Sequence, residues 1–208
     1  MPRKTTPAAC LVVLLAACDA PPPAAQTSPA GPSAIPSNDP VAHPMTLNVN
    51  LKSDCPEIPE IVRTRTYTAQ FDSRSVNTYV VTLSGALFFE DEPLPGGGAI
   101  VHCGSRLGCN QFLAWRENDA FRFELAGTPV DADGEFFTGG GMIVERIPPD
   151  DRLTISGTGT GLLETTGIDA SLIGDVSYCP SVSNPPRVRS WGCVHCAGSQ
   201  LRLTFTRK

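Results

Sequence analysis

Residues 111–126 read QFLAWRENDAFRFELA. Phe121, Phe123 and Leu125 share one side of an extended segment, and Arg122 and Glu124 take the other. Asn118-Asp119 supplies a two-residue turn between Gln111–Glu117 and Ala120–Ala126, which is the pattern of a tight antiparallel hairpin. The same period of two recurs outward from this point. Leu47, Val49 and Leu51 alternate with Asn48 and Asn50. Tyr79, Val81, Leu83, Leu87 and Phe89 are assigned one face of a long strand with a bulge at Gly85. Leu201, Leu203 and Phe205 alternate with Arg202, Thr204 and Thr206, a strand with one wet face. Further strands are expected at Ile61–Ala69, Gly141–Ile147, Arg152–Glu164 and Ser171–Cys179. Within Arg152–Glu164, Gly157, Gly159 and Gly161 fall on one face, which signals strong curvature or close backbone packing. A phosphate cradle would need a helix to follow such glycines, and none does. No ten-residue segment keeps a 3.6 period. The sequence therefore predicts an all-β fold: a single antiparallel β-sandwich or squat barrel of about nine strands, stapled by disulfides.

The remainder of the chain says where the domain is sent. The 208 residues include 41% hydrophobic ones, yet no apolar run approaches the ~20 residues of a membrane-spanning helix. Arg3 and Lys4 precede an uninterrupted small or apolar run, Ala8 to Ala17, and the run ends in Leu15-Ala16-Ala17-Cys18. Charge order, length and all four final positions fit an export signal. This segment resembles the lipobox signal of bacterial lipoproteins, in which signal peptidase II cuts before a cysteine carrying diacylglycerol. The resemblance covers the signal alone and implies that residues 1–17 are removed and Cys18 is lipidated. The implied partner is a lipid bilayer reached through acylated Cys18, and the implied location is the bacterial cell envelope. Asp19 resembles the inner-membrane retention signal of enterobacterial lipoproteins; other bacteria do not all follow that rule, so inner and outer membrane both stay open. Removing residues 1–17 takes Arg3 and Lys4 from the 16 basic residues and no acid from the 21, which leaves 14 against 21. That acidic balance argues against nucleic acid as a partner, because phosphates are gripped by surplus Lys and Arg.

Residues 18–45 form the lipidated cysteine and a Pro/Ala-rich tether, and 46–208 form the β-rich domain. The tether has no apolar period, and every aromatic residue lies beyond position 66. Such a segment buries too little surface to offset its ordering entropy. In polyproline II form it reaches at most about 80 Å at ~3.1 Å per residue. His43 lies within it and receives no catalytic role.

Several chemistries lack their signatures. Neither Lys52 nor Lys208 sits in a P-loop, and neither His102 nor His195 belongs to an H-E-x-x-H zinc motif. There is no G-x-S-x-G elbow. A serine–histidine–aspartate arrangement is not read from the order of residues, since its members come from remote positions. Asp131-Ala132-Asp133-Gly134-Glu135 resembles the opening of a calcium loop, but positions six and twelve hold Phe136 and Met142 instead of Gly and Glu. Glu90-Asp91-Glu92 and Asp150-Asp151 read as solvated loops. Trp115 and Trp191 read as packing residues, with a sugar-stacking platform as the alternative. No catalytic residue, metal ligand or cofactor is assigned.

Six cysteines remain in the domain: Cys55, Cys103, Cys109, Cys179, Cys193 and Cys196. An even count in an exported domain predicts a disulfide framework, with fifteen connectivities and a local preference for Cys103–Cys109. Two other readings attach to these residues. One is a dithiol redox module at Cys193 and Cys196, although the sequence leaves no room for the helix such a thiolate needs. The other is zinc held by four of His102, Cys103, Cys109, Cys193, His195 and Cys196. The functional expectation is a membrane-anchored envelope lipoprotein with a noncatalytic binding or structural β-domain, its ligand an envelope protein or glycan. The alternative is an envelope hydrolase or carbohydrate-active protein using loop carboxylates.

Overall fold

A computed structural model describes residues 39, 41–51, 55–90, 92–93, 96, 99–100, 107–125, 141–181 and 192–207. Its strands are β1 (Met45–Leu51), β2 (Thr64–Ser75), β3 (Thr78–Ser84), β4 (Glu92–Pro93), β5 (Ala99–Ile100), β6 (Gln111–Glu117), β7 (Ala120–Leu125), β8 (Ile143–Ile147), β9 (Asp151–Leu163), β10 (Gly167–Cys179) and β11 (Val194–Arg207). Eight of them follow one another around an antiparallel ring in the order β1-β2-β3-β6-β7-β9-β10-β11, and β11 closes on β1. Of the two architectures expected, the barrel is the one formed. The ninth strand, β8, pairs with the first part of β9, beyond the stretch that β7 occupies. β4 and β5 form a small separate ribbon.

Alternation builds the ring. In β1, Met45, Leu47, Val49 and Leu51 are buried while Thr46, Asn48 and Asn50 are half-exposed. Apolar residues of the other strands meet them in the lumen, where each fully buried Phe or Leu contributes ~1.5–3 kcal/mol. The Phe205 ring lies 5.5 Å from Phe71 and 5.3 Å from Phe123, and Phe121 stacks 5.9 Å from Phe123. An eight-stranded barrel is just wide enough for side chains to fill, and these rings fill it.

Two glycines explain departures from simple alternation. Gly85 takes φ +91°, ends β3 and shifts the following chain by one position. Phe88 therefore packs against the main core, Leu87 is exposed, and Phe89 joins a small satellite core with Cys109, Met142 and Val144. The expected shared face of Leu83, Leu87 and Phe89 is thus broken. At Gly159, a Cβ would stand 2.6 Å from Leu172 Cα and 2.8 Å from its Cγ. The glycine face of β9 is where β10 closes in, as the pattern implied.

Other boundaries move modestly. Ile61 belongs to a short 3-10 turn, Glu60–Val62, and β2 begins only at Thr64. The fold also reaches back past position 46. Val41 is fully buried, and Asp39 Oδ2 lies 2.7 Å from Arg116 at the end of β6.

Disulfides staple one end. Cys55 bonds to Cys196, tying the β1–β2 connection to β11, and Cys179 bonds to Cys193 across the ends of β10 and β11. Cys109 is also disulfide-bonded, whereas Cys103, its expected partner, lies outside the described residues.

Candidate functional site

The strand directions give the barrel two unlike poles. At one, the connections are short: Val76-Asn77, Asn118-Asp119 and Glu164–Thr166. Asn118 adopts φ 56°, as a two-residue hairpin turn requires. Asp39 and residues 41–44 also join the barrel at this turn pole. At the other, the strands of the ring and β8 end where the chain leaves for residues 52–63, 85–110 (which include the β4–β5 ribbon), 126–142 and 180–193. Long connections on a rigid scaffold are where binding residues concentrate, so this loop pole is the first place to look.

Its mouth holds a buried charge cluster. β8 carries Glu145 inward with 1% of its surface exposed. Arg65 of β2 grips it with both ends of its fork: Nε donates to Oε2 over 2.8 Å, and the terminal nitrogen Nη2 donates to Oε1. The Tyr67 hydroxyl donates to Oε2 over 2.7 Å. Burial, followed by the neighbouring Glu145 charge, pushes the Tyr67 phenol well above its ordinary value. The hydrogen bond to Glu145 raises Arg65. A carboxylate already engaged by three donors is poorly placed to abstract a proton. It fastens β8 to β2 across the barrel mouth.

A second cluster lies on β9 and β10. The Tyr178 hydroxyl donates to Asp151 Oδ2, and the Ser181 amide donates to Oδ1 over 2.6 Å. The bond to Asp151 pushes Tyr178 up to about 12. Partial burial pulls the Asp151 carboxyl upward, but the hydrogen bonds from Tyr178 and Ser181 outweigh it and leave the group below its usual value.

Among the described residues, those singled out from sequence do not assemble into an active centre. Ser177 Oγ and His195 Nδ1 are 2.9 Å apart on adjacent strands, but among the described residues no carboxylate bonds the other ring nitrogen. Cys193 and Cys196 are each joined to a different partner, and both lie at or beside the start of a strand rather than a helix. Cys55, Glu57 and Cys196 cluster closely, yet the two sulfurs are bonded to each other and offer no thiolates to zinc. Trp115 stands on the outer wall with the Arg122 guanidinium 4.2 Å over its ring, which covers the face a sugar would use. Glu90 and Asp150 are exposed. His102, Trp191, Asp91, the Asp131–Glu135 segment and the Glu92 side chain lie outside the described residues.

Arg65, Tyr67 and Glu145 were missed by the reading of the sequence, although a signal was present. Ile143, Glu145 and Ile147 share one parity of a strand, as do Arg65, Tyr67, Ala69 and Phe71. Opposite charges at core-facing positions of two strands point to a buried pair.

Comparison of the chain with protein-family models, with curated proteins and with solved structures finds no match. The functional reading therefore rests on the residues themselves.

Proposed function

We propose that this chain is a cell-envelope lipoprotein, held to a membrane through acylated Cys18, whose disulfide-stapled barrel is a noncatalytic binding or structural domain. The observation that carries the reading is the polarity of the barrel. The chain joins it at the turn pole, through Val41 and the Asp39–Arg116 ion pair, and the strand ends that lead into the four long connections lie at the opposite pole. Anchorage through Cys18 would therefore enter the barrel at the turn pole, opposite the end from which the long connections leave. Two or three acyl chains at ~0.8 kcal/mol per buried methylene hold such a domain firmly, so it needs no spanning segment. The noncatalytic part of the reading is supported by a carboxylate saturated with donors, a serine–histidine pair that no carboxylate joins among the described residues, and cysteines engaged in disulfides.

The test is a Cys18→Ala variant expressed beside the natural chain with radiolabelled palmitate. The natural chain takes up label and fractionates with membranes, and the variant does neither. Equal labelling and equal membrane retention of the two would overturn the reading.

A further inference from the structure

Outside the loop pole, the barrel wall carries a groove of about 560 Å³ across β9, β10 and β11. Register sets its lining. Thr160, Ser171 and Arg202 stand side by side in one cross-strand row, and Thr158, Ile173 and Gln200 stand in the next. The backbones of Gly159, Leu172 and Leu201 lie beneath. The short hydroxyl side chains make the floor, and the longer Ile173, Gln200 and Arg202 make the rims.

Three properties of this lining select a ligand. First, its only charges cancel. Arg202 Nε and Nη2 donate to the two carboxylate oxygens of Asp169 over 2.9 and 2.6 Å, on a molecule whose net charge is -5. A groove without net charge gives neither a polyanion nor a polycation a Coulombic advantage. Second, hydroxyl, amide, guanidinium and carboxylate groups offer both donors and acceptors at close spacing, beside Ile173, which is 65% exposed. Sugar rings present that same mixture of hydroxyls and C–H faces. Third, β9, β10 and β11 are each paired on both sides. An extended peptide is captured by adding to a free sheet edge, and the closed ring offers none here.

We propose that this groove binds a neutral glycan strand, with Thr158, Thr160 and Ser171 hydrogen-bonding its hydroxyls and Ile173 lying against a ring face. The site deepens the binding reading above, on which it rests, by giving it a ligand class and a place. Calorimetric titration of the mature full chain with neutral cello-, chito-, manno- and xylotetraose tests it. At least one tetrasaccharide binds saturably, and the affinity changes less than about twofold when salt rises from 50 to 500 mM, since no ion pair is displaced. Ser171→Arg, which fills the floor, weakens that binding more than about tenfold, or ~1.4 kcal/mol. Thr66→Arg, on the outer wall of β2, leaves it unchanged. Circular dichroism of both variants verifies the fold, and amide exchange with the natural chain maps protection to β9–β11. Absence of saturable binding to all four sugars, or retention of full affinity by a folded Ser171→Arg variant, overturns the groove. Neither result touches Cys18 acylation, which is read separately. Cleavage of a bound tetrasaccharide would instead overturn the noncatalytic reading.

Discussion

Replacing Glu145 by Ala removes the carboxylate that fastens β8 to β2. The loss is larger than that of a surface ion pair, because Glu145 is 1% exposed while Arg65 keeps a quarter of its side chain in solvent. Breaking a buried pair by deleting one partner costs ~3–5 kcal/mol, and the partial exposure of Arg65 places this case near ~3. The Tyr67 hydroxyl, left buried without its acceptor, keeps the figure from falling further. For a domain of this size, ~3 kcal/mol lowers the melting temperature by about 6–12 °C. Thermal unfolding with the disulfides intact reads this directly. A second variant, Arg65→Met combined with Glu145→Leu, removes both charges and recovers most of the loss, since an apolar replacement of the whole pair is close to neutral. The double-mutant cycle completed by Arg65→Met alone and Glu145→Leu alone then gives the coupling. A cost below about 1 kcal/mol for Glu145→Ala would refute the clamp, because only a solvated pair is that weak.

Other outcomes follow from the same structure. Proteolysis of the non-reduced protein yields peptides joined through Cys55–Cys196 and Cys179–Cys193, and a peptide joining Cys193 to Cys196 contradicts the assigned pairing. Loop closure assigns ~3 kcal/mol to the Cys179–Cys193 loop and ~5 kcal/mol to the longer Cys55–Cys196 loop, so reduction lowers the melting temperature whereas a chelator leaves it unchanged. Ultraviolet titration shows Tyr178 ionising near 12, and Asp151→Asn brings that transition down toward the ordinary tyrosine value. Because the folded Asp151 carboxyl lies below its unfolded value, its stabilisation is present above about pH 4 and fades as pH falls through the folded pKa. Acid unfolding therefore costs the natural chain this contribution, and Asp151→Asn, which never had it, shows a shallower loss in the same range.

The fold was largely legible because period-two alternation is a direct consequence of strand geometry, and the segments around Leu47, Phe121 and Leu203 keep it without interruption. The Asn118-Asp119 turn was legible for the same local reason. Ring closure was not, since the β11–β1 pairing joins the two ends of the domain and leaves no local trace. Phe88 and Leu87 exchanged their expected faces because one glycine at φ +91° resets the parity of everything after it. The cluster at Glu145 was hidden differently: its three members come from strands almost 80 residues apart, so only parity and charge sign linked them. The cysteine count announced a framework, but the pairing of Cys55 with Cys196 depends on which connections the closed ring brings to one pole.

The central claim is a lipid anchor at Cys18, and the intact mass of the mature protein, extracted from membranes in detergent, tests it most directly. The account predicts a chain that begins at Cys18, lacks residues 1–17 and carries the added mass of a diacylglycerol, localised by fragmentation to the first residue. A mature chain with an unmodified Cys18, or one that begins elsewhere, would contradict it.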